Sequence, residues 1–330
     1  MQQNHKRAAV TLVLGTMISM AIVASGSNEG SSEPGSGRSA KLDPDESRRI
    51  EHAFGESRVP REPERVAALG QLASTYALEL GVVPVVGTRD GIAWTAEFEE
   101  RFEVPVDVDE VPTAGRTRQI DVEAVAAADP DLILTAARIE EATYAKLAQI
   151  APTVVAERGD NADWKRRYDT FAAALGEKAA LERLRNQYQA TLDAFPADHA
   201  QTEIAFIRPR RGGEFRMDVG AGAFPASVAR DAGLPITEPP KGVEELWTSG
   251  SGVYQLSAER MRALESADVI VFPESSTVLD GGKPSRRIFA QNPLWERLPA
   301  VENGRVIPIS GLVYNGGSYT AATMLIEAMP

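Results

Sequence analysis

The chain has 330 residues, with 35 Lys and Arg against 47 Asp and Glu, a formal charge of −12. Hydrophobic residues at 43% and charged residues at 25% are ordinary globular values, which exclude a disordered chain or a polytopic membrane protein. The acidic balance argues against nucleic acid as a partner, since phosphates call for a basic surface. Cysteine is absent, which excludes disulfides, thiolate metal sites and thiol catalysis, and only His5, His52 and His199 could supply imidazole chemistry.

At about 150 residues per domain the length predicts two domains. Lys6 and Arg7 precede an apolar run over residues 8–23, which is short for a membrane span of about 20 residues. This is the pattern of an export signal over residues 1–24, and it places the protein in the cell envelope, in the periplasm or on the outer face of the cytoplasmic membrane. Ile22-Val23-Ala24-Ser25-Gly26 has the form of a bacterial lipobox, with Ser25 where the lipidated cysteine would stand. A thioether needs a thiol, so a lipid anchor belongs to the parent protein only if Ser25 replaces a native Cys. Residues 25–48 open with Gly, Ser, Asn, Glu and Pro and read as a flexible tether.

A first lobe is expected over residues 49–160. Val66-Ala67-Ala68-Leu69 is a short apolar run closed by Gly70, and reads as a buried strand. A helix follows to Leu80, stopped by Gly81, then a strand over 82–87. Asp121 caps a helix through Ala127, ended by Asp129-Pro130, and Leu132-Ile133-Leu134-Thr135 is another strand. A helix over 140–150 and an extended stretch over 152–156 follow. Strands alternating with helices predict a parallel, helix-covered sheet.

Residues 161–196 carry Trp164, Tyr168, Phe171, Leu175, Leu184, Tyr188 and Leu192 mostly at intervals of three and four. They predict an interlobe helix about 50 Å long, kinked or split at Gly176. Trp164 and, further on, Trp295 read as core. A second lobe is expected over 197–330, with strands at 203–207, 215–219, 269–272 and 305–309 and a closing helix over 320–329. The halves echo each other. Asp121-Val122-Glu123 leading to Asp131-Leu132-Ile133 resembles Ser257-Ala258-Glu259 leading to Asp268-Val269-Ile270. Two such lobes imply a cleft, a preferred place for ligands.

Five segments in order carry a family resemblance. They are Glu64-Arg65-Val66-Ala67-Ala68-Leu69 with Leu80-Gly81-Val82-Val83-Pro84, Asp121-Val122-Glu123 with Asp129-Pro130-Asp131, Tyr144-Ala145-Lys146-Leu147 with Ala151-Pro152-Thr153-Val154, Asn292-Pro293-Leu294-Trp295, and Leu298-Pro299 with Gly304-Arg305-Val306. Over about residues 50–330 the chain resembles the iron–siderophore substrate-binding proteins of bacterial ABC importers. The resemblance implies an α/β fold of two Rossmann-like lobes bridged by a long helix, the class III periplasmic-binding-protein arrangement. It implies a monomer that captures a ferric siderophore and delivers it to an ABC permease. It also implies that one glutamate per lobe, Glu123 and Glu259 here, docks to permease arginines, a role that suits carboxylates in the first turn of a helix.

A ferric siderophore supplies its own iron ligands, so neither a protein metal site nor a cofactor is expected. Aromatic faces and cationic forks on loops after the strands are expected instead. Candidates are Tyr76, Arg89, Trp94, Arg116, Arg118 and Arg138 in the first lobe, and Arg208, Arg210, Trp247, Tyr254 and Tyr314 in the second. Haem, with Tyr76, Tyr254 or Tyr314 as axial ligand, or cobalamin are alternative cargoes. An exported hydrolase is a rival of another class, but Gly-x-Ser-x-Gly and His-Glu-x-x-His are both absent. Gly220-Ala221-Gly222 lacks the third glycine of a dinucleotide loop and reads as a tight turn.

Overall fold

The computed structural model describes residues 43–136, 139–156, 164–196, 199, 201–210, 213–246, 251–274, 289 and 292–329. The export signal, Ser25 and most of the tether lie outside the described residues, as do Arg138 and Trp247. Among the described residues no helix is long and apolar enough to cross a membrane.

Regular structure begins earlier than residue 49. The Asp43 carboxylate accepts from the Asp45 N–H at 2.9 Å and caps a single 3-10 turn. Ser47–His52 (β1) then pairs antiparallel with Gly55–Pro60 (β2).

The first lobe is built on Val66–Leu69 (β3), Val86–Gly87 (β4), Leu132–Thr135 (β7) and Thr153–Val155 (β8), all parallel, in the order β4-β3-β7-β8. Every residue of β3 and β7 is buried, as central strands covered by helices on both faces should be. Ala73–Glu79 (α1), Arg89–Thr95 (α2), Val122–Ala127 (α3) and Glu141–Ile150 (α4) make the connections. A small hairpin, Gly115–Arg116 (β5) with Gln119–Ile120 (β6), stands at the carboxyl ends of the strands.

The second lobe contains Ile204–Pro209 (β9), Phe215–Asp218 (β10), Val253–Leu256 (β11), Val269–Glu274 (β12) and Val306–Ser310 (β13), in the order β11-β10-β9-β12-β13. β9, β12 and β13 are parallel, and β10 and β11 extend the sheet antiparallel. Phe224–Asp231 (α7), Pro299–Glu302 (α8), Gly311–Tyr314 (α9) and Tyr319–Ala328 (α10) complete it. The internal echo extends to hydrogen bonds. Asp131 accepts from the backbone N–H groups of Glu64 and Arg65 just before β3, and Asp268 accepts from that of Glu203 just before β9. In each lobe an aspartate opening one strand pins the start of its neighbour.

The expected bridging helix is two helices, Trp164–Leu175 (α5) and Lys178–Ala194 (α6). Gly176 ends the first at φ +86°, where a Cβ would lie 2.7 Å from Arg48 Nη2. Its N–H and that of Glu177 both donate to the Ala172 carbonyl at 2.9 Å, which closes the turn. Gly220 and Gly252 allow another close approach. A Cβ on Gly220 would fall 2.2 Å from Gly252 Cα, so the glycine at 220 serves backbone packing.

One apolar core runs through both lobes and the bridge. At its centre Trp164 packs edge-on against Phe224 and Tyr319, with ring centroids 5.5 and 4.9 Å apart. Tyr168 packs against Tyr76 at 4.4 Å and Tyr319 at 4.9 Å. Trp164 and Trp295 are core residues, as expected.

Candidate functional site

The carboxyl ends of β3 and β7 open into a groove of about 690 Å³, within the range of small-molecule sites. Gln71 and Leu72 line it from the loop after β3, Ala136 from the end of β7, and Arg167 from the bridge. Ile139, Glu140, Thr143 and Lys146 line it from α4 and the residues before it, at intervals suited to one helix face. The β5–β6 hairpin forms another wall. Its two-residue tip is Thr117-Arg118, and the Thr117 N–H donates to Asp90 Oδ1 at 2.8 Å, which holds the tip and with it Arg118.

The groove adjoins the seam between the lobes. Arg167 Nη1 approaches the Tyr76 hydroxyl at 3.5 Å, and that hydroxyl donates to the Gly317 carbonyl of the second lobe at 2.8 Å. Behind it Glu79 is buried. Its carboxyl accepts from the Tyr168 hydroxyl and, at 3.2 Å, from the Thr320 N–H. Burial pushes the Glu79 carboxyl above its ordinary pKa, and the hydrogen bonds from Tyr168, Thr320 and Ser318 only partly oppose that.

In the second lobe the carboxyl end of β9 and the antiparallel strand β10 beside it hold a different arrangement. Arg208 forks onto Asp218, which is fully buried, with Nε donating to Oδ2 at 2.6 Å and Nη2 donating to Oδ1. The Tyr314 hydroxyl donates to the same Oδ2 at 2.6 Å. Burial works to lower the Arg208 pKa, yet attraction to Asp218 prevails and raises it. Burial and the Asp218 charge both push the Tyr314 hydroxyl well up, so it stays protonated.

Of the expected ligand residues, Arg118 alone among those described lines the groove. Tyr76 and Tyr314 are fully buried and hydrogen-bonded within the protein, and Trp94 is buried in the core, so none of the three presents a face to a ligand. Their aromatic area goes to packing instead. Arg208 is neutralised by Asp218. Arg89, Arg116 and Arg210 are exposed and do not line the groove. Tyr254 is half-buried on the edge strand β11, with its hydroxyl 3.1 Å from Glu245. Arg167 and Lys146 were not among the expected residues. The signal for Arg167 is its place three residues after Trp164 and four before Phe171, a charge inside an apolar stripe.

The expected docking residues occupy matching places. Glu123 is exposed in the first turn of α3, whose N-cap Asp121 accepts from the Ala124 N–H at 3.0 Å. Glu259 is exposed in the first turn of the 3-10 helix before β12. The Ser257 side chain holds its carboxyl below the ordinary pKa.

The sequence pattern of a protein family described as periplasmic binding protein matches residues 66–311, which span both lobes and the bridge. The chain belongs to this periplasmic binding protein family. Members of this family bind substrates for transport rather than transform them. Among curated proteins it is similar to "Probable siderophore-binding lipoprotein YfiY" of Bacillus subtilis (strain 168), 24% identical, covering 98% of this chain and 97% of that one. "Fe(3+)-citrate-binding protein YfmC" of the same organism is 23% identical over 89% of this chain and 87% of its own length. Among solved structures it is similar to Staphylococcus aureus SirA complexed with staphyloferrin B, with a TM-score of 0.65 and 23% identity over 85% of this chain and 96% of that one. The catecholate-siderophore binding protein VctP of Vibrio cholerae gives the same TM-score and identity over 86% and 99%. At these identities the solved structures establish the two-lobed α/β fold.

Proposed function

We propose that this periplasmic binding protein captures a ferric siderophore outside the cytoplasmic membrane and hands it to an ABC permease. The observation that carries the reading is the charge of the groove. Among the described residues Arg118, Lys146 and Arg167 line it against a single acid, Glu140, on a chain whose formal charge is −12. Cations held at strand ends on an acidic protein suit an anionic cargo. The siderophore and ferric citrate named for its relatives are consistent with this.

The test is a tryptophan-fluorescence titration of the full chain against a panel of ferric chelates, haem and cobalamin. Saturable quenching by a ferric chelate is expected, and a chain that retains none of them overturns the reading. Haem is disfavoured by two tyrosines that could have served it. Tyr76 donates to Gly317 and Tyr314 to Asp218, so neither is free to bind iron.

Docking through Glu123 and Glu259 belongs to the same proposal. The two carboxylates are equivalent under the internal echo, and each is exposed in the first turn before a central strand. Reversing both charges should abolish chelate uptake by cells and leave the affinity of the isolated protein unchanged. A loss of affinity would place them at the cargo instead.

A further inference from the structure

Among the described residues the charge of the first-lobe groove is not balanced, and the imbalance centres on Arg167. The residue is 6% exposed. Its Nε has no hydrogen-bond partner. Among the described residues its Nη1 reaches only the Tyr76 hydroxyl, at 3.5 Å, and it forms no ion pair with a carboxylate. A guanidinium cannot shed its proton inside a protein, so a buried one without counter-charge is held at a cost. The other charged groups withdrawn from solvent near the seam, one of them half-buried, are provided for. Arg208 has Asp218, and Glu79 has Tyr168 and Thr320. Arg167 differs from them in that it lines a groove.

The rest of the lining says which anion completes it. Arg118 and Lys146 add positive charge, and Gln71, Thr117, Gln119 and Thr143 add neutral polar groups. None of the described lining residues is aromatic. A catecholate chelate presents rings that gain from aromatic faces, which this wall lacks. A trihydroxamate chelate presents no free anionic group. A carboxylate offers two coplanar oxygens, the acceptor pair that a guanidinium fork engages in bidentate fashion.

We propose that Arg167 anchors a carboxylate subsite in this groove, and that the cargo is a ferric chelate of the hydroxycarboxylate class bearing free carboxylate groups. The proposal rests on the siderophore reading above and narrows it. Arg118 at the hairpin tip and Lys146 on α4 assist from the groove walls as solvated charges, while Arg167 supplies the desolvated contact that sets specificity.

The experiment titrates the full chain and its variants with ferric citrate, a ferric trihydroxamate and a ferric tricatecholate, following tryptophan fluorescence, with melting temperatures recorded without ligand. The wild-type chain should bind ferric citrate at least about 10-fold more tightly than the other two chelates. Arg167→Lys keeps the charge but loses the fork and should weaken ferric citrate about 10-fold, whereas Arg167→Met should weaken it about 100-fold. Arg118→Gln, at an exposed site, should weaken it only about 3-fold. Without ligand, Arg167→Met should melt at or above the wild-type temperature, because it removes a buried unpaired charge and leaves a side chain of similar bulk. A structural arginine would give the opposite shift.

Unchanged ferric citrate affinity in Arg167→Met overturns the inference. So does a lowered melting temperature or failure of that variant to fold, and so does equal wild-type affinity for the trihydroxamate or the tricatecholate. In each of those cases the wild-type chain still binds a ferric chelate and the wider reading stands. A wild-type chain that binds none of the three removes both.

Discussion

Arg167, buried at the first-lobe groove, and Arg208, half-buried at the carboxyl end of β9, differ in what faces them. Arg208 forks onto the buried Asp218, which also accepts from Tyr314, so its charge is consumed within the second lobe. Arg167 has a tyrosine hydroxyl at 3.5 Å, an unpartnered Nε and an open groove. A cation serves a ligand only with charge that its own chain has left uncompensated. Counting arginines in a sequence overestimates a binding site, because some are locked into the scaffold.

The comparison can be broken most directly at Asp218. Asp218→Ala strips the counter-charge from Arg208 and a partner from Tyr314, and should cost about 4 kcal/mol of stability, read from the urea midpoint. Adding Arg208→Met to Asp218→Leu should recover most of that loss, since an apolar pair avoids the desolvation of both ions. If Asp218→Ala is as stable as the wild-type chain, Arg208 is not the structural member of the pair. Tyr314→Phe is a smaller change. It removes one hydrogen bond to a charged acceptor and should cost about 2 kcal/mol in the same assay, with chelate affinity unaltered. A selective loss of affinity in that variant would return the second lobe's cluster to the binding site.

Glu79 sharpens the same contrast with a buried acid, and its effect is a change of slope. Burial raises its folded pKa above the unfolded value, so the native state binds the extra proton between the two. Its contribution is therefore most favourable below the ordinary carboxylate pKa and is lost as pH rises through the raised folded value. Glu79→Gln should gain stability relative to the wild-type chain as pH rises from about 4 to about 8. A difference that shrinks over that range would mean the carboxylate form is the one the seam prefers.

Much of the fold was legible because its strands are buried on both faces. Leu132–Thr135 and Val66–Leu69 read as apolar runs punctuated by Asp-Pro or Gly, and they are the central strands. The β1–β2 hairpin was not legible. It alternates charged residues and buries only a few side chains, Ile50 and Val59 among them, so its pattern is that of a linker. Gly176 was visible as a break, but whether it would bend one helix or end it depended on φ +86° and on Arg48, which packs against it from β1. The binding residues were hardest to place. Tyr76 and Tyr314 have the chemistry a ligand could use, and only the three-dimensional packing shows that Gly317 and Asp218 have taken their hydroxyls. Arg167 looked like one of three successive cations, Lys165, Arg166 and Arg167, and the helical stripe alone distinguished it from its neighbours.

The aromatic cluster that joins Tyr76 and Phe171 to Trp164, Phe224 and Tyr319 has a thermodynamic corollary. Detaching either half of the chain would leave several of these rings facing water, so neither half retains a complete interior alone. Calorimetry should therefore register a single endotherm whose van't Hoff and calorimetric enthalpies agree. Two separate endotherms would mean that the duplicated topology also unfolds in duplicate.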